Sequence, residues 1–144
     1  MKVRHIRKLF IEDFFTLKMF HEEHFYFYSI SDKEFISYLS SKEYFIAGAI
    51  NSFRLVGYVI CLIAVDEAEI IYLCVHPNYR RIGIAAQILQ YFIQNTSFLK
   101  KLHLEVIIHN ANAISFYKKE GFIITHVRKN YSNGCDAYSM IKLL

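Results

Sequence analysis

Residues 80–86, Arg-Arg-Ile-Gly-Ile-Ala-Ala, carry the most suggestive chemistry in the chain. An apolar run ending Leu73-Cys74-Val75 meets a Pro77-Asn78 turn, and two arginines and a glycine then open an amphipathic helix. A helix start leaves backbone N–H groups without intrahelical partners and carries partial positive charge, so it favours anions. No Ser, Thr or Asp stands where a side-chain cap would serve those groups. With Arg80 and Arg81 adjacent, the layout suits a diphosphate held by backbone from Arg81 to Ala86. On its own, Gly83 also fits a tight strand-to-helix turn. No Lys-Ser/Thr follows the glycine, which excludes a nucleotide-hydrolysing phosphate loop.

Two further side chains could move protons. Glu105 lies in a run where Leu102, Leu104, Val106 and Ile108 share one face and His103, Glu105, Ile107 and His109 share the other. Periodicity alone makes Glu105 an exposed residue of a polar face. Tyr117 stands beside Phe116 on a short helix, where an aromatic core residue is the simpler reading. Cys61 and Cys74 sit in apolar runs and read as small core residues, and Cys135 has no partner at metal-like spacing. The seven histidines show no ligand spacing, so no metal is expected. His5, His21, His24 and His126 read as surface or partly buried, while His103 and His109 could tune Glu105 from the same face.

The elements that position these residues follow from periodicity. The 144 residues suffice for one domain with a substantial core, and 54% hydrophobic against 21% charged residues excludes disorder. A net charge of +4 suits an anionic cofactor or a partner near nucleic acid and is too small to diagnose either. The longest apolar run, 58–65, is far shorter than the roughly 20 residues of a membrane span. The N-terminus leads into no signal-peptide core. A soluble, cytoplasmic protein with reduced thiols is expected.

Residues 2–7 predict a short strand, 11–24 and 32–41 helices, and 44–50, 55–65 and 70–75 strands, with turns at Asn51-Ser52 and Asp66-Glu67. Ile84, Ala85, Ile88, Leu89, Phe92 and Ile93 form the buried stripe of the next helix. A strand follows at 102–108. Asn110 then caps a helix over 111–120 that Gly121 stops, with Phe122 packing back. A hairpin over 122–129 and 136–142 ends the chain. The order predicts an α/β (α+β) fold, a mixed sheet of about seven strands flanked by about four helices.

With these pieces in place, the chain resembles the GNAT superfamily of acyl-CoA-dependent N-acetyltransferases. Arg80-Arg81-Ile82-Gly83-Ile84-Ala85 matches its Arg/Gln-x-x-Gly-x-Gly/Ala motif. More narrowly it is similar to the RimI-type N-terminal acetyltransferases through an ordered set over residues 55–142. That set includes Val75-His76-Pro77, Leu104-Glu105-Val106, Asn110-Ala111-Asn112-Ala113-Ile114, Phe116-Tyr117, Gly121-Phe122, Arg128 and Asn130-Tyr131. Three substrate-side positions depart from the usual pattern. Ser29-Ile30-Ser31 replaces a Pro-Trp-Ser element, Ile107 stands where Arg is common, and Ser132 where a second Tyr often follows.

The resemblance implies a single GNAT domain over 1–144 with a mostly antiparallel sheet. It implies acetyl-CoA as cosubstrate, bound by the backbone of Leu73, Cys74 and Val75, by Arg80, Arg81, Ile82, Gly83, Ile84, Ala85 and Ala86, and by Asn110. The strands carrying Val75 and Glu105 would splay apart to expose backbone groups. Glu105 becomes the general base and Tyr117 the general acid, in a direct attack within a ternary complex. Tyr26, Tyr28 and Tyr131 would line the acceptor groove. The acceptor would be a protein α-amine, the N-terminal alanine of a small-subunit ribosomal protein, without nucleic-acid or membrane partners. Acetylation of lysine or a small amine, or a non-catalytic acyl-CoA-binding module, are the alternatives.

Overall fold

The strands Tyr44–Asn51 and Arg54–Ala64 are apolar on both faces, and that follows from where the helices go. The computed structural model describes residues 5–25 and 29–144. The chain forms β1 (His5–Lys8), a 3-10 turn (Ile11–Asp13), α1 (Phe14–His24), α2 (Asp32–Ser40), β2 (Tyr44–Asn51) and β3 (Arg54–Ala64). There follow β4 (Glu67–Val75), a second 3-10 turn (Pro77–Tyr79), α3 (Ile84–Gln94), β5 (Lys101–Ile107), α4 (Ala111–Lys119), β6 (Ile123–Ser132) and β7 (Cys135–Leu143). The seven strands run in the order β1-β2-β3-β4-β5-β7-β6. Pairing is antiparallel between β1 and β2, β2 and β3, β5 and β7, and β6 and β7, and parallel between β4 and β5. The predicted mixed, mostly antiparallel sheet with four helices is therefore present. Among the described residues, no helix is long and apolar enough to cross a membrane.

The chain divides into two compact units, Met1–Ile63 with Ile71–Ser97, and Ala64–Ile70 with Phe98–Leu144. In the first, alternation along β2 and β3 sends neighbouring side chains to opposite helices. Phe45 meets Phe92 of α3 edge-on at 5.0 Å, whereas Ile46 joins the cluster of Leu17, Phe20 and Phe35 from α1 and α2. Gly57 brings backbones close, because a Cβ there would lie 2.9 Å from the Cys74 carbonyl oxygen and 3.1 Å from Ile88. In the second unit, Leu102, Leu104 and Val106 of β5 are buried with Ala137 and Met140 of β7, and Phe122 is buried as well.

One expectation fails inside the first core. His21, read as surface or partly buried, is 1% exposed, and its Nδ1 lies 2.5 Å from the hydroxyl of Tyr58, which is fully buried. Burial pushes the Tyr58 hydroxyl far above the ordinary phenol range, so it stays protonated. Tyr58→Phe removes a buried partner of His21, and unfolding free energy from urea titration should fall by about 1–3 kcal/mol. A change within about 0.5 kcal/mol, the range of neutral substitutions, would show that the contact does not stabilise the fold.

Candidate active site

The loop before α3 is pinned at both ends. His76 Nδ1 accepts the Asn78 amide at 3.0 Å as the Pro77–Tyr79 turn begins, and the Arg80 Nε–H donates to the Val75 carbonyl at 3.0 Å. The Arg80 guanidinium also lies 6.0 Å from the centre of the Phe25 ring. Arg80 is thereby folded back on the end of β4. Arg81 and Gly83 both take positive φ, 62° and 87°. For Gly83 this is free, but for Arg81 it costs about 1–2 kcal/mol. Gly83 is the N-cap of α3 and no side chain accepts from the first turn. Residues 81–83 are exposed, Ile84 is buried and anchors the helix, and Ala85 and Ala86 are half-buried. The donors are thus outward backbone N–H groups under two short side chains, with Arg81 beside them. That donor set fits a diphosphate.

Leu73 is half-buried, while Cys74 and Val75 are 6% and 9% exposed. Burial pushes the Cys74 thiol up to about 12, which the neighbouring Tyr58 hydroxyl and Arg80 only partly offset. Cys74 is therefore a protonated core residue, as its apolar run suggests, and is unsuited to attack a thioester.

The second unit holds Glu105, Tyr117, Asn110 and Tyr131. Burial along β5 alternates strictly, which puts Glu105 on the more open face as predicted. It is not an ordinary exposed residue, however. Its side chain is only 16% exposed, its Oε2 accepts the Ser139 hydroxyl at 2.6 Å, and Arg128 lies 3.6 Å from Oε1. Ser139 stands directly opposite Glu105 in the β5–β7 register. His103, proposed as a neighbour that tunes Glu105, instead bonds Glu67 at 2.6 Å. Strand β5 pairs with β7 from Lys101 to Ile107 but with β4 only from Lys101 to His103. From Leu104 onward, one edge of β5 has no ladder partner among the described residues.

Asn110 caps α4 as expected, its Oδ1 accepting the Ala113 amide at 3.1 Å. The far end closes on Gly121 at φ 94°, with Gly121 N–H bonded to Lys118 and Phe122 N–H to Tyr117. This glycine-terminated end fixes Tyr117, which is 9% exposed between the Phe116 and Phe122 rings at 5.2 and 5.4 Å. Tyr131 lies near the end of β6 rather than in the hairpin loop, and the Arg128 guanidinium sits 5.2 Å over its ring. Tyr26 and Tyr28 lie outside the described residues.

Sequence reasoning missed Ser139 as the partner of Glu105 and gave Arg128 no role. Ser139 reaches Glu105 through the β5–β7 register, and the placing of Arg128 depends on a β6–β7 hairpin with two irregularities, at Ile124/His126 and Arg128/Ser132. The alternation of β7 signals only that Ser139 shares a face with Ala137 and Ile141. Among the described residues, no group of three or more His, Cys, Asp or Glu side chains could hold a metal ion.

A solved ribosomal-protein-S18-alanine N-acetyltransferase from Escherichia coli superposes with a TM-score of 0.87 at 25% identity, covering 96% of this chain and 92% of that one. The PaiA N-acetyltransferase of Thermoplasma acidophilum, solved in complex with coenzyme A, shares the fold with a TM-score of 0.79 at 22% identity, both chains fully covered. In sequence, a ribosomal protein bS18 alanine N-acetyltransferase of Salmonella typhimurium is 32% identical over 80 residues, 54% of each chain. The matched region spans about half the length of such curated relatives. The model of the Acetyltransferase (GNAT) family matches residues 3–122, most of the length. The chain belongs to the GNAT acetyltransferase family.

Proposed function

We propose that residues 1–144 act as one acetyltransferase domain that moves an acetyl group from acetyl-CoA to the α-amino group of a protein N-terminus. The N-terminal alanine of a small-subunit ribosomal protein is the specific acceptor we propose, in keeping with the names of the Salmonella and Escherichia coli relatives. The observation that carries the reading is Glu105, a largely buried carboxylate oriented by Ser139 on a strand whose other edge has no ladder partner at that point among the described residues.

The backbone of Arg81 to Ala86, with the Arg80 and Arg81 charges, would hold the diphosphate. The main chain of Leu73, Cys74 and Val75 and the Asn110 region would hold the rest of the cosubstrate. Bound there, acetyl-CoA supplies an activated acetyl thioester. Glu105 takes a proton from the incoming ammonium, directly or through a water, and the neutral amine attacks in a ternary complex. Tyr117 gives its Oη proton to the departing sulfur. Cys74, held protonated in the core, forms no acyl-enzyme. An α-amine has a pKa of about 7.7–8.0 and lysine about 10.4, so a lysine acceptor needs roughly 3.5 kcal/mol more for deprotonation. One carboxylate suits the easier acceptor. Tyr131, with its Arg128 partner, would line the acceptor side.

The test is mass spectrometry of peptides incubated with the protein and acetyl-CoA. The panel holds free Ala, Ser, Met and Gly N-termini and N-blocked peptides with internal lysine. Acetyl on α-amines alone, favouring alanine, is the expected result. Acetyl on blocked lysine peptides would move the acceptor to lysine, and coenzyme A binding without turnover would make the chain a binding module.

A further inference from the structure

Charge is unevenly placed along this basic chain. Residues 11–40 hold six carboxylates and two lysines, although the whole chain carries a net charge of +4. The same segment exposes large apolar side chains. Ile11, Phe15 and Met19 are 46%, 69% and 66% exposed. Leu17, Phe20 and His21 turn the other side of α1 into the core, so this helix is apolar on both sides.

Helical spacing sets Phe15 and Met19 four residues apart in one outward row, with Ile11 at the preceding turn. Within α1, Glu23 falls beside that row and Glu22 flanks its other side, while Glu12 stands in the 3-10 turn just before the helix. All three glutamates are exposed. The lysine of this helix is already engaged, since Lys18 lies 2.9 Å from Asp32 and 4.0 Å from Glu22. The outer face of α1 is an apolar row in a carboxylate frame.

The frame selects the occupant. An anionic membrane surface would be repelled. A second copy docking by the same face would set like carboxylates against each other. We propose that the outer face of α1 docks a lysine- and arginine-rich amphipathic segment of a partner protein. Its apolar side chains cover Phe15 and Met19 while its cations meet Glu12, Glu22 and Glu23. This surface does not depend on acetyl transfer.

The probes are N-acetylated amphipathic peptides about 15 residues long, four helical turns. One has a leucine face with lysines, one a leucine face with glutamates, and one is a scramble of the first without an apolar face. Binding is followed by fluorescence anisotropy without acetyl-CoA. The leucine–lysine peptide should bind, and Phe15→Ser with Met19→Ser should weaken it at least about tenfold, as loss of central apolar contacts does. Glu12→Gln, Glu22→Gln and Glu23→Gln together should also weaken it and flatten its salt dependence. Circular dichroism and coenzyme A binding should stay unchanged in both variants. Equal binding of the glutamate peptide or the scramble, or indifference to the serine variant, overturns the proposal. So does vesicle binding, or a dimer in sedimentation, that the serine variant abolishes.

Discussion

Glu105→Gln is expected to lower kcat/KM for a peptide α-amine by about 10²–10⁴-fold, the usual range for removing a general base. That corresponds to roughly 2.7–5.5 kcal/mol of transition-state stabilisation. The substitution keeps the shape and can still accept from the Ser139 hydroxyl, so the site keeps its packing. Arg128 loses its ionic partner, but its side chain is 59% exposed and surface pairs of this kind contribute little to stability. Affinity for coenzyme A and the unfolding midpoint should therefore stay near wild type.

A pH profile separates lost base catalysis from a distorted site. Below about pH 8 the neutral fraction of an α-amine rises nearly tenfold per pH unit. The variant relies on that fraction alone, so its rate should climb more steeply with pH than wild type, and its deficit should shrink towards alkaline pH. A deficit that stays constant with pH, or arrives with weakened coenzyme A binding, would assign Glu105 a structural role. Wild-type turnover in Glu105→Gln would remove it from the chemistry altogether.

How much of this was legible in the sequence follows from how locally each feature is determined. The ends of α4 were readable because a cap and a glycine stop are decided within a few residues, and Asn110, Gly121 and Phe122 behave as their types require. The α3 stripe and the β5 alternation were readable because each matches one period. Turn positions were less so. The β2–β3 turn centres on Ser52 and Phe53, both at positive φ, and the next on Val65-Asp66 with Val65 at φ 58°, one residue before the expected place. A β-branched residue is disfavoured there, so residue type pointed away from the true turn. The burial of His21 depends on Tyr58, 37 residues further on, and the setting of Glu105 on Ser139, 34 residues on. Periodicity ranks faces; it does not report which strand lies opposite.

Gly83→Val should weaken coenzyme A binding at least about tenfold, since the left-handed backbone that a β-branched residue resists costs about 1–2 kcal/mol. The protein itself leaves room for the new side chain, because a Cβ at Gly83 meets only the Gln87 amide nitrogen at 4.0 Å. The damage therefore comes from backbone conformation and from filling the outward face of the α3 N-terminus, where the diphosphate is proposed to sit. Arg81 makes the complementary case. It holds φ 62° without being glycine, so Arg81→Gly relieves that strain while adding chain entropy to the unfolded state. The two effects should offset to within about 1 kcal/mol. Stability should barely move, yet coenzyme A affinity should fall because a cation beside the helix start is gone. Calorimetric titration with coenzyme A and thermal unfolding on the same samples give both signs. If Arg81→Gly binds coenzyme A as wild type does, the Arg81 charge has no part in holding the cosubstrate. If Gly83→Val also binds normally, the start of α3 is not the diphosphate site.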